Sequence, residues 1–343
     1  MIERCAECYD INGMSISNIP FFNIELPLTD DISLVARTEE ILAKLRPDWN
    51  FANISFKCFT TGITNKIVCA TNSSANEIEP SERVLFRVFG RNTEKIIDRR
   101  AELENWLRLA EVGCAAPVYA KFINGIVCGY LEGRTITVED VREEKIITLA
   151  ILFRSSPSSA IMLKVHFEVE RSMAKLHSLE PSDHTIVKPI LFEKGEKMLR
   201  YFSTKFENSA KQQEFDAYFT SNKISLEDDF KNLKKSIDTL EARVVFCHND
   251  LLLHNIIYDS KTGKVSFIDY EYAGFNYQGF DIANHFCEYA GVENVDYTLC
   301  PSTEQKRAWI SLYLTFLLDR PPSADAVERM LQDNEIFEAV YLL

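Results

Sequence analysis

The sequence predicts an α+β chain of two lobes, the first rich in β-strands and the second mainly helical. Runs of β-branched and aromatic residues separated by polar turns fill the first part, whereas helical spacing dominates after Gly133. The chain has 343 residues, 46% hydrophobic and 26% charged, which is enough for two packed cores. We divide it into an irregular segment over 1–30, a first lobe over 31–132 and a second lobe over 133–343.

Five short strands and two helices define the first lobe. Apolar residues at helical spacing from Asp30 to Leu45 predict a helix that Pro47 ends. A second helix is predicted over 94–112, and the Asn124-Gly125 turn predicts a hairpin. The predicted strands, of which the first three form an antiparallel meander, are Ile54–Phe59, Lys66–Ala70, Val84–Phe89, Val118–Phe122 and Ile126–Leu131.

Amphipathic helices dominate the second lobe. They are predicted over Glu168–Leu179, Ile190–Phe206, Leu226–Leu240, 303–317 and 324–338. The longest apolar run, Ile146–Phe153, is far shorter than the roughly 20 residues that cross a bilayer. We therefore expect no membrane span.

Charge and cysteine usage limit the functional class. The net charge of −13 argues against binding to nucleic acid, which requires a basic surface. The cysteines are scattered, and the N-terminus lacks the apolar core of a signal peptide. These features predict a cytoplasmic protein.

The most informative stretch begins as an apolar run that enters the loop His248-Asn249-Asp250, and Asn255, five residues after the aspartate, leads into a short strand. A glycine turn and a second strand then deliver Asp269. Phosphoryl transfer requires a carboxylate near the acceptor hydroxyl and oxygen ligands for Mg²⁺. Asp250 is therefore the predicted catalytic base, and Asn255 and Asp269 are the predicted Mg²⁺ ligands. A surface turn rich in Asp and Asn is the alternative.

This order and spacing resemble the catalytic loop and metal-binding aspartate of protein-kinase-like folds. The resemblance implies a two-lobe kinase fold with a β-rich N-lobe that binds ATP and a mainly helical C-lobe that binds the acceptor. His248 is predicted to have a structural role, in which it shapes the loop by packing and hydrogen bonding.

Three segments of the first lobe are candidates for binding ATP. The loop containing Gly62, Thr64 and Asn65 lies between two strands and can close over phosphates, although an ordinary hairpin is the alternative. Arg87, on an interior strand, and Glu102, on the next helix, fit a cation that touches phosphates and its supporting carboxylate. The alternatives are that Arg87 faces solvent and that Glu102 is one of several acids on the helix surface. Tyr130 and Leu131, where the lobes join, are placed to bind adenine through their backbone.

The segment after Asp269 combines acids and aromatic residues, including Tyr272, Glu288 and Tyr297. Carboxylates and aromatic faces both attract an ammonium group. Core aromatic residues and helix-capping acids are the alternative.

The chain closely resembles the choline/ethanolamine kinase family. The motifs are His-Asn-Asp-x4-Asn, Ile-Asp-Tyr-Glu-Tyr and Asn-Tyr-Gln-Gly-Phe-Asp-Ile-Ala-Asn-His-Phe, with Gly62-Ile-Thr-Asn65 and Val84-Leu-Phe-Arg87 upstream. Tyr-Glu-Tyr-Ala-Gly-Phe is more similar to the ethanolamine branch. The resemblance implies transfer of phosphate from ATP to ethanolamine, the first step of phosphatidylethanolamine synthesis, with choline as the alternative acceptor. It also implies a homodimer.

The resemblance further implies roles for individual residues. Glu288 and Tyr297 face the ammonium group, and Asp281 braces the catalytic loop by hydrogen bonding to its backbone. Residues 146–165 look like an insertion. Relatives continue beyond Leu343 into a Trp-rich helix that closes the acceptor pocket, so an impaired isoform that binds nucleotide or a full-length partner is a further alternative.

Overall fold

Two structural units divide the chain. The structure is a computed structural model that describes residues 18–59, 65–74, 79–95, 97–142, 157–181, 187–201, 204–222, 225–292 and 294–341. The first unit contains the described residues up to Ile136 together with His254–Ala273. The second unit contains those of Thr137–Leu253 and Gly274–Leu343.

The first unit is built on a six-stranded sheet in the order β1-β5-β6-β4-β3-β2. These strands are β1 (Phe21–Phe22), β2 (Ile54–Phe59), β3 (Asn65–Asn72), β4 (Arg83–Phe89), β5 (Val118–Phe122) and β6 (Gly125–Gly129). The unit also contains helices α1 (Asp31–Leu45) and α2 (Arg99–Glu111). Strands β2, β3 and β4 pair antiparallel, so the predicted meander is confirmed.

The pleat of β4 places its side chains on two faces of the sheet. Val84, Phe86 and Val88 are fully buried in the same core as residues of α1. Because side chains alternate along a strand, Arg87 projects from the opposite face. That face packs with Leu103 and other apolar residues of α2.

A second, three-stranded sheet completes the first unit. Its strands, in the order β10-β9-β7, are β7 (Arg134–Thr135), β9 (Ile256–Asp259) and β10 (Lys264–Phe267). Gly263, in the turn between β9 and β10, has a φ of 72°, a backbone conformation that glycine adopts without steric cost. The antiparallel register pairs Phe267 with Ile256. The residues just before β9 and just after β10 therefore lie at the same end of this hairpin.

The second unit is mainly helical. Its helices are α3 (Val138–Val141), α4 (Pro157–His177), α5 (Leu191–Tyr201), α6 (Ser209–Asn222), α7 (Leu226–Asp238), α8 (Gln278–Cys287), α9 (Thr303–Leu318) and α10 (Ala324–Tyr341). Strands β8 (Val244–Cys247) and β11 (Gly274–Tyr277) pair antiparallel. Within the described ranges, no helix is both long enough and apolar enough to cross a membrane.

Helix α8 carries much of the polar chemistry of this unit although nearly all its residues are buried. It packs with α10 in a core that includes Ala283 and Phe337. A Cβ atom added to Gly279 would lie 2.3 Å from Cδ2 of Phe337, so only glycine fits at this approach. This close packing fixes the position of α8 against α10.

The structure confirms all the predicted helices and strands, with shifts at their ends. Helix α4 begins at Pro157, well before the predicted start at Glu168. Of the segment predicted as an insertion, residues 146–156 lie outside the described residues, and residues 157–165 form the first turns of α4. Strands β1, β7, β8 and β11 and helices α3, α6 and α8 were not predicted.

Gly279→Ala should lower the free energy of unfolding by about 1–3 kcal/mol, because the added methyl group overpacks the buried Phe337 ring. Alanine favours a helix by about 1 kcal/mol over glycine, so a loss would identify the clash as dominant. Urea denaturation measures the change. In a Phe337→Ala background the same substitution should no longer destabilise the protein, and an equal loss in both backgrounds would contradict the explanation.

Candidate functional site

A cluster of charges surrounds Arg87 in the first unit. The guanidinium forms ion pairs with Glu102 at 2.9 Å, Asp269 at 2.6 Å and Glu271 at 3.2 Å. Burial alone would lower the pKa of Arg87, but the charges of these three carboxylates outweigh burial and raise the pKa above its usual value. The predicted pairing of Arg87 with Glu102 is therefore present, and the alternative in which Arg87 faces solvent is wrong.

A second arginine extends this cluster. Arg99, at the start of α2, pairs with Glu102 at 2.7 Å and with Glu271 at 3.4 Å. Asn65, at the start of β3, donates a hydrogen bond to Glu271 at 3.3 Å. Burial and then the charge of Asp269 raise the pKa of Glu271. The cluster thus joins strands β3 and β4, helix α2 and the segment after β10.

The β9–β10 hairpin brings the two predicted metal ligands to one end. Asn255 precedes β9, and its backbone carbonyl accepts a hydrogen bond at 2.9 Å from the backbone N–H of Ile268. Asp269 follows with φ 66° and ψ 59°, a left-handed conformation that Asp and Asn tolerate better than most residues. This turn ends the strand and exposes the Asp269 side chain.

The oxygen donors at this end suit a hard divalent cation, because Mg²⁺ binds carboxylate and amide oxygens. Glu102, Asp269 and Glu271 place carboxylate oxygens within 4.8 Å of one another. Their side chains are 2%, 32% and 4% exposed, so Asp269 is the accessible one. The residues present therefore fit a metal ion held at Asp269.

The other predicted ATP-binding residues fall into two groups. Tyr130 and Leu131 are half-buried and follow β6, and the Arg83 guanidinium lies over the Tyr130 ring at 4.9 Å. Gly62 and Thr64 lie outside the described residues. The roles assigned to all four remain predictions.

In the second unit, Asp281 holds the loop that follows β8. Its carboxylate accepts backbone hydrogen bonds from His248 at 2.6 Å and Asn249 at 2.7 Å. Asn249 has a φ of 65°, and its side chain accepts a hydrogen bond from Asn276 of β11 at 2.7 Å. These contacts are the bracing that the resemblance implies for Asp281, and the fully buried His248 lies within the braced loop.

A buried chain of hydrogen bonds fixes Asp281 in turn. Gln278 donates from its side-chain amide to the Tyr313 hydroxyl at 2.6 Å. The hydroxyl proton is then available for Nδ1 of His177, which lies 2.6 Å away. Nε2 of His177 lies 3.2 Å from the Asp281 carboxylate and carries the proton that it donates there. Helices α4, α8 and α9 therefore position the loop together.

Asp250 follows this braced backbone in the second unit and is half-buried. The next residue, Leu251, donates its backbone N–H to the side-chain oxygen of Asn284 on α8. Both sides of Asp250 are thus attached to the same helix, which restricts where its carboxylate can lie.

The predicted acceptor residues differ in their surroundings. Glu288 is buried at the end of α8, whereas Tyr297, in the short 3₁₀ helix Tyr297–Leu299, is 56% exposed. Tyr272 is half-buried in the 3₁₀ helix Tyr270–Tyr272 of the first unit. Their predicted contact with an ammonium group remains a prediction.

Several residues of these networks were not predicted. Glu271 and Arg99 join the Arg87 cluster, and His177, Gln278 and Tyr313 support Asp281. Glu271 lies only two residues after Asp269. A buried cation such as Arg87 needs several carboxylates, so Glu271 was the one of these residues that the sequence could have suggested as a partner. The remaining residues come from separate helices, and the sequence alone contains no signal that brings them together.

The fold and these networks define the class of protein. A β-rich N-terminal unit and a mainly helical C-terminal unit make a protein-kinase-like two-lobe fold. An ethanolamine kinase structure from Plasmodium vivax shares this fold with a TM-score of 0.70 at 22% identity, covering 90% of this chain and 80% of that one.

Sequence comparison identifies the family. Residues 56–343 match the family described as choline/ethanolamine kinase. Ethanolamine kinase 2 of Mus musculus is 35% identical over 326 residues, which cover 95% of this chain and 76% of that protein. Ethanolamine kinase 2 of Homo sapiens is 38% identical over 299 residues, covering 86% and 68%. The chain belongs to the choline/ethanolamine kinase family.

Arg87→Met should lower the free energy of unfolding by about 3–5 kcal/mol, because it leaves buried carboxylates without their cation. The matched control is Arg83→Met on the same strand, since Arg83 pairs with the partly exposed Glu132. We expect the control to cost at most about 1 kcal/mol. Urea denaturation measures the free energy of unfolding of both variants. Equal losses would contradict the prediction that the buried Arg87 ion pairs contribute more to stability than the Arg83–Glu132 pair.

Proposed function

We propose that this chain transfers the γ-phosphate of ATP to the hydroxyl group of ethanolamine. The observation that carries the proposal is its similarity to ethanolamine kinase 2 of Mus musculus over 95% of the chain. The ion pair of Asp269 with Arg87 and the backbone hydrogen bonds on either side of Asp250 support the same assignment.

In this proposal Asp250 orients the ethanolamine hydroxyl and accepts its proton as the oxygen attacks the γ-phosphorus. The proton moves to the carboxylate, the new P–O bond forms, and the bond to the leaving ADP oxygen breaks. Hydrogen bonds from His248 and Asn249 to Asp281 fix the backbone that carries Asp250. The loop is therefore preorganised, and little conformational freedom remains to be lost in the transition state.

Asn255 and Asp269 are the proposed ligands of a divalent cation, which we take to be Mg²⁺. The bound cation supplies charge neutralisation to the phosphate oxygens. Asp269 already shares one carboxylate oxygen with Arg87, so its orientation is set before the metal binds. Asn255 accepts a backbone hydrogen bond from Ile268, the residue before Asp269.

Arg87 and Glu102 complete the proposed phosphate side, with the loop that contains Gly62, Thr64 and Asn65. Glu102 and Arg99 hold the Arg87 cluster in place, which favours a fixed cation over a mobile one. Tyr130 and Leu131 are the proposed adenine-binding backbone. Glu288, Tyr297 and Tyr272 are the proposed partners of the ethanolamine ammonium group, which would gain both charge and aromatic contacts.

The proposal includes a cytoplasmic location and a homodimer. The scattered cysteines of the sequence support a reducing compartment. The family resemblance supports the dimer, and sedimentation equilibrium of the purified chain tests it directly.

Asp250→Asn should lower kcat for ethanolamine by about 100-fold to 10,000-fold, because the amide cannot accept the hydroxyl proton. Coupled detection of ADP measures turnover, with Asp325→Asn on the exposed start of α10 as the control.

We expect a higher kcat/KM for ethanolamine than for choline. A preference for choline would reject the proposed acceptor. A parent protein without turnover that is still thermally stabilised by ATP would favour the impaired isoform.

Asp269→Asn should abolish the extra thermal stabilisation that Mg²⁺ adds to ATP, because the variant loses the accessible carboxylate. The measurement compares melting temperatures with ATP and Mg²⁺ against ATP and EDTA. Asp259→Asn is the matched control, since Asp259 lies at the opposite end of the same hairpin and accepts from Thr262 in its turn. An unchanged Mg²⁺ increment in Asp269→Asn would contradict the assignment.

A further inference from the structure

Arg142 lies at the end of a short, capped helix in the second unit. It directly follows α3, and its backbone N–H donates to the carbonyl of Val138 at 3.1 Å. A capping box closes the start of this short helix, in which Asp140 accepts from the backbone N–H of Thr137 at 2.8 Å. The His166 ring hydrogen-bonds to the backbone of Val141, and burial lowers the pKa of His166 to about 4. The His166 ring is therefore neutral, and Arg142 is the positively charged side chain at this end of α3.

The Arg142 side chain reaches the residue that follows Glu288. Its Nε donates a hydrogen bond to the backbone carbonyl of Tyr289 at 2.6 Å. The Tyr289 ring is itself buried and lies 5.5 Å from the His285 ring, centroid to centroid. Arg142 therefore holds the backbone of Tyr289, and the buried aromatic residues hold its ring.

The guanidinium also lies against Gly291. This glycine has a φ of 84°, and a Cβ atom placed on it would be 3.2 Å from Nη2 of Arg142. Any larger residue would be strained in its backbone and would crowd the guanidinium. The chain reverses here with Arg142 packed against the turn.

Beyond the turn lies Asp296, the residue before Tyr297. The Asp296 carboxylate accepts hydrogen bonds from the Thr298 hydroxyl at 2.6 Å and the Thr298 backbone N–H at 3.0 Å, and these bonds lower the pKa of Asp296. The backbone N–H of Asp296 donates to the carbonyl of Ala290 at 3.0 Å, which closes the turn. Val292 and Val295 are 64% and 51% exposed, so apolar burial contributes little to the conformation of this segment.

We propose that Arg142 is a positioning residue for the phosphate acceptor. Its side chain holds the backbone after Glu288 at Tyr289 and Gly291. The hydrogen bond from Asp296 to Ala290 ties the segment before Tyr297 to that same backbone, so the separation of the Glu288 and Tyr297 side chains depends on Arg142. The inference rests on the proposed function, in which Glu288 and Tyr297 bind the ammonium group. Arg142 itself need not touch ethanolamine.

Arg142→Ala should raise KM for ethanolamine by about 10-fold or more, because the loss of a charged hydrogen bond loosens the acceptor residues. KM for ATP should stay within about twofold of the parent, and Arg142→Lys should restore part of the loss since it keeps a donor and a charge. The matched control is Arg307→Ala, a half-buried arginine of the same unit that pairs with Glu328 at 3.3 Å. An equal rise in both KM values, or none, would overturn the proposal.

Two further measurements separate this inference from the proposed function. Hydrogen exchange should accelerate in the peptide covering residues 288–299 of Arg142→Ala and not in α10, whether or not the protein is active. Unchanged exchange there would also overturn the role of Arg142. In a Glu288→Gln background, Arg142→Ala should add little to the rise in KM, whereas full additivity would contradict action through Glu288. A parent protein that phosphorylates neither ethanolamine nor choline would reject the proposed function alone.

Discussion

Taking the Arg87 guanidinium out of water is costly, and the first unit is arranged to offset that cost. The three carboxylates that pair with Arg87 come from helix α2 and from the segment after β10. Each therefore has to be in place before the cation is stably buried. The same contacts orient Asp269, so the stability of the charge cluster and the geometry of the proposed metal site have one cause.

In the second unit, the single carboxylate of Asp281 holds an irregular loop. The loop after β8 leaves two backbone N–H groups without strand partners, and Asp281 accepts hydrogen bonds from both. Because Tyr313 and His177 form a buried chain of hydrogen bonds that ends on Asp281, the carboxylate stays directed at these amides. Rigid helices thereby hold an irregular loop in one conformation, which proximity catalysis requires.

Sequence patterns were sufficient for strands β2 to β6 and for the amphipathic helices, because one face of each meets a core and leaves a period in the sequence. They were insufficient for α8, because its polar residues Gln278, Asp281 and Asn284 are buried along with its apolar ones, unlike the solvent-exposed polar face of a surface helix. Spacing correctly placed Asn255 and Asp269 at one end of a hairpin. It could not indicate the pairing of Arg87 with Asp269, which lies 182 residues later in the chain.

That separation has a consequence for synthesis of the protein. The first unit is discontinuous, since His254–Ala273 joins residues that leave the ribosome much earlier. At about 5–20 residues per second, Arg87 waits on the order of 10–40 s for Asp269 to be made. During that interval β4 carries a cation whose later carboxylate partners do not yet exist. The complete charge cluster around Arg87 can therefore form only after translation has passed Glu271.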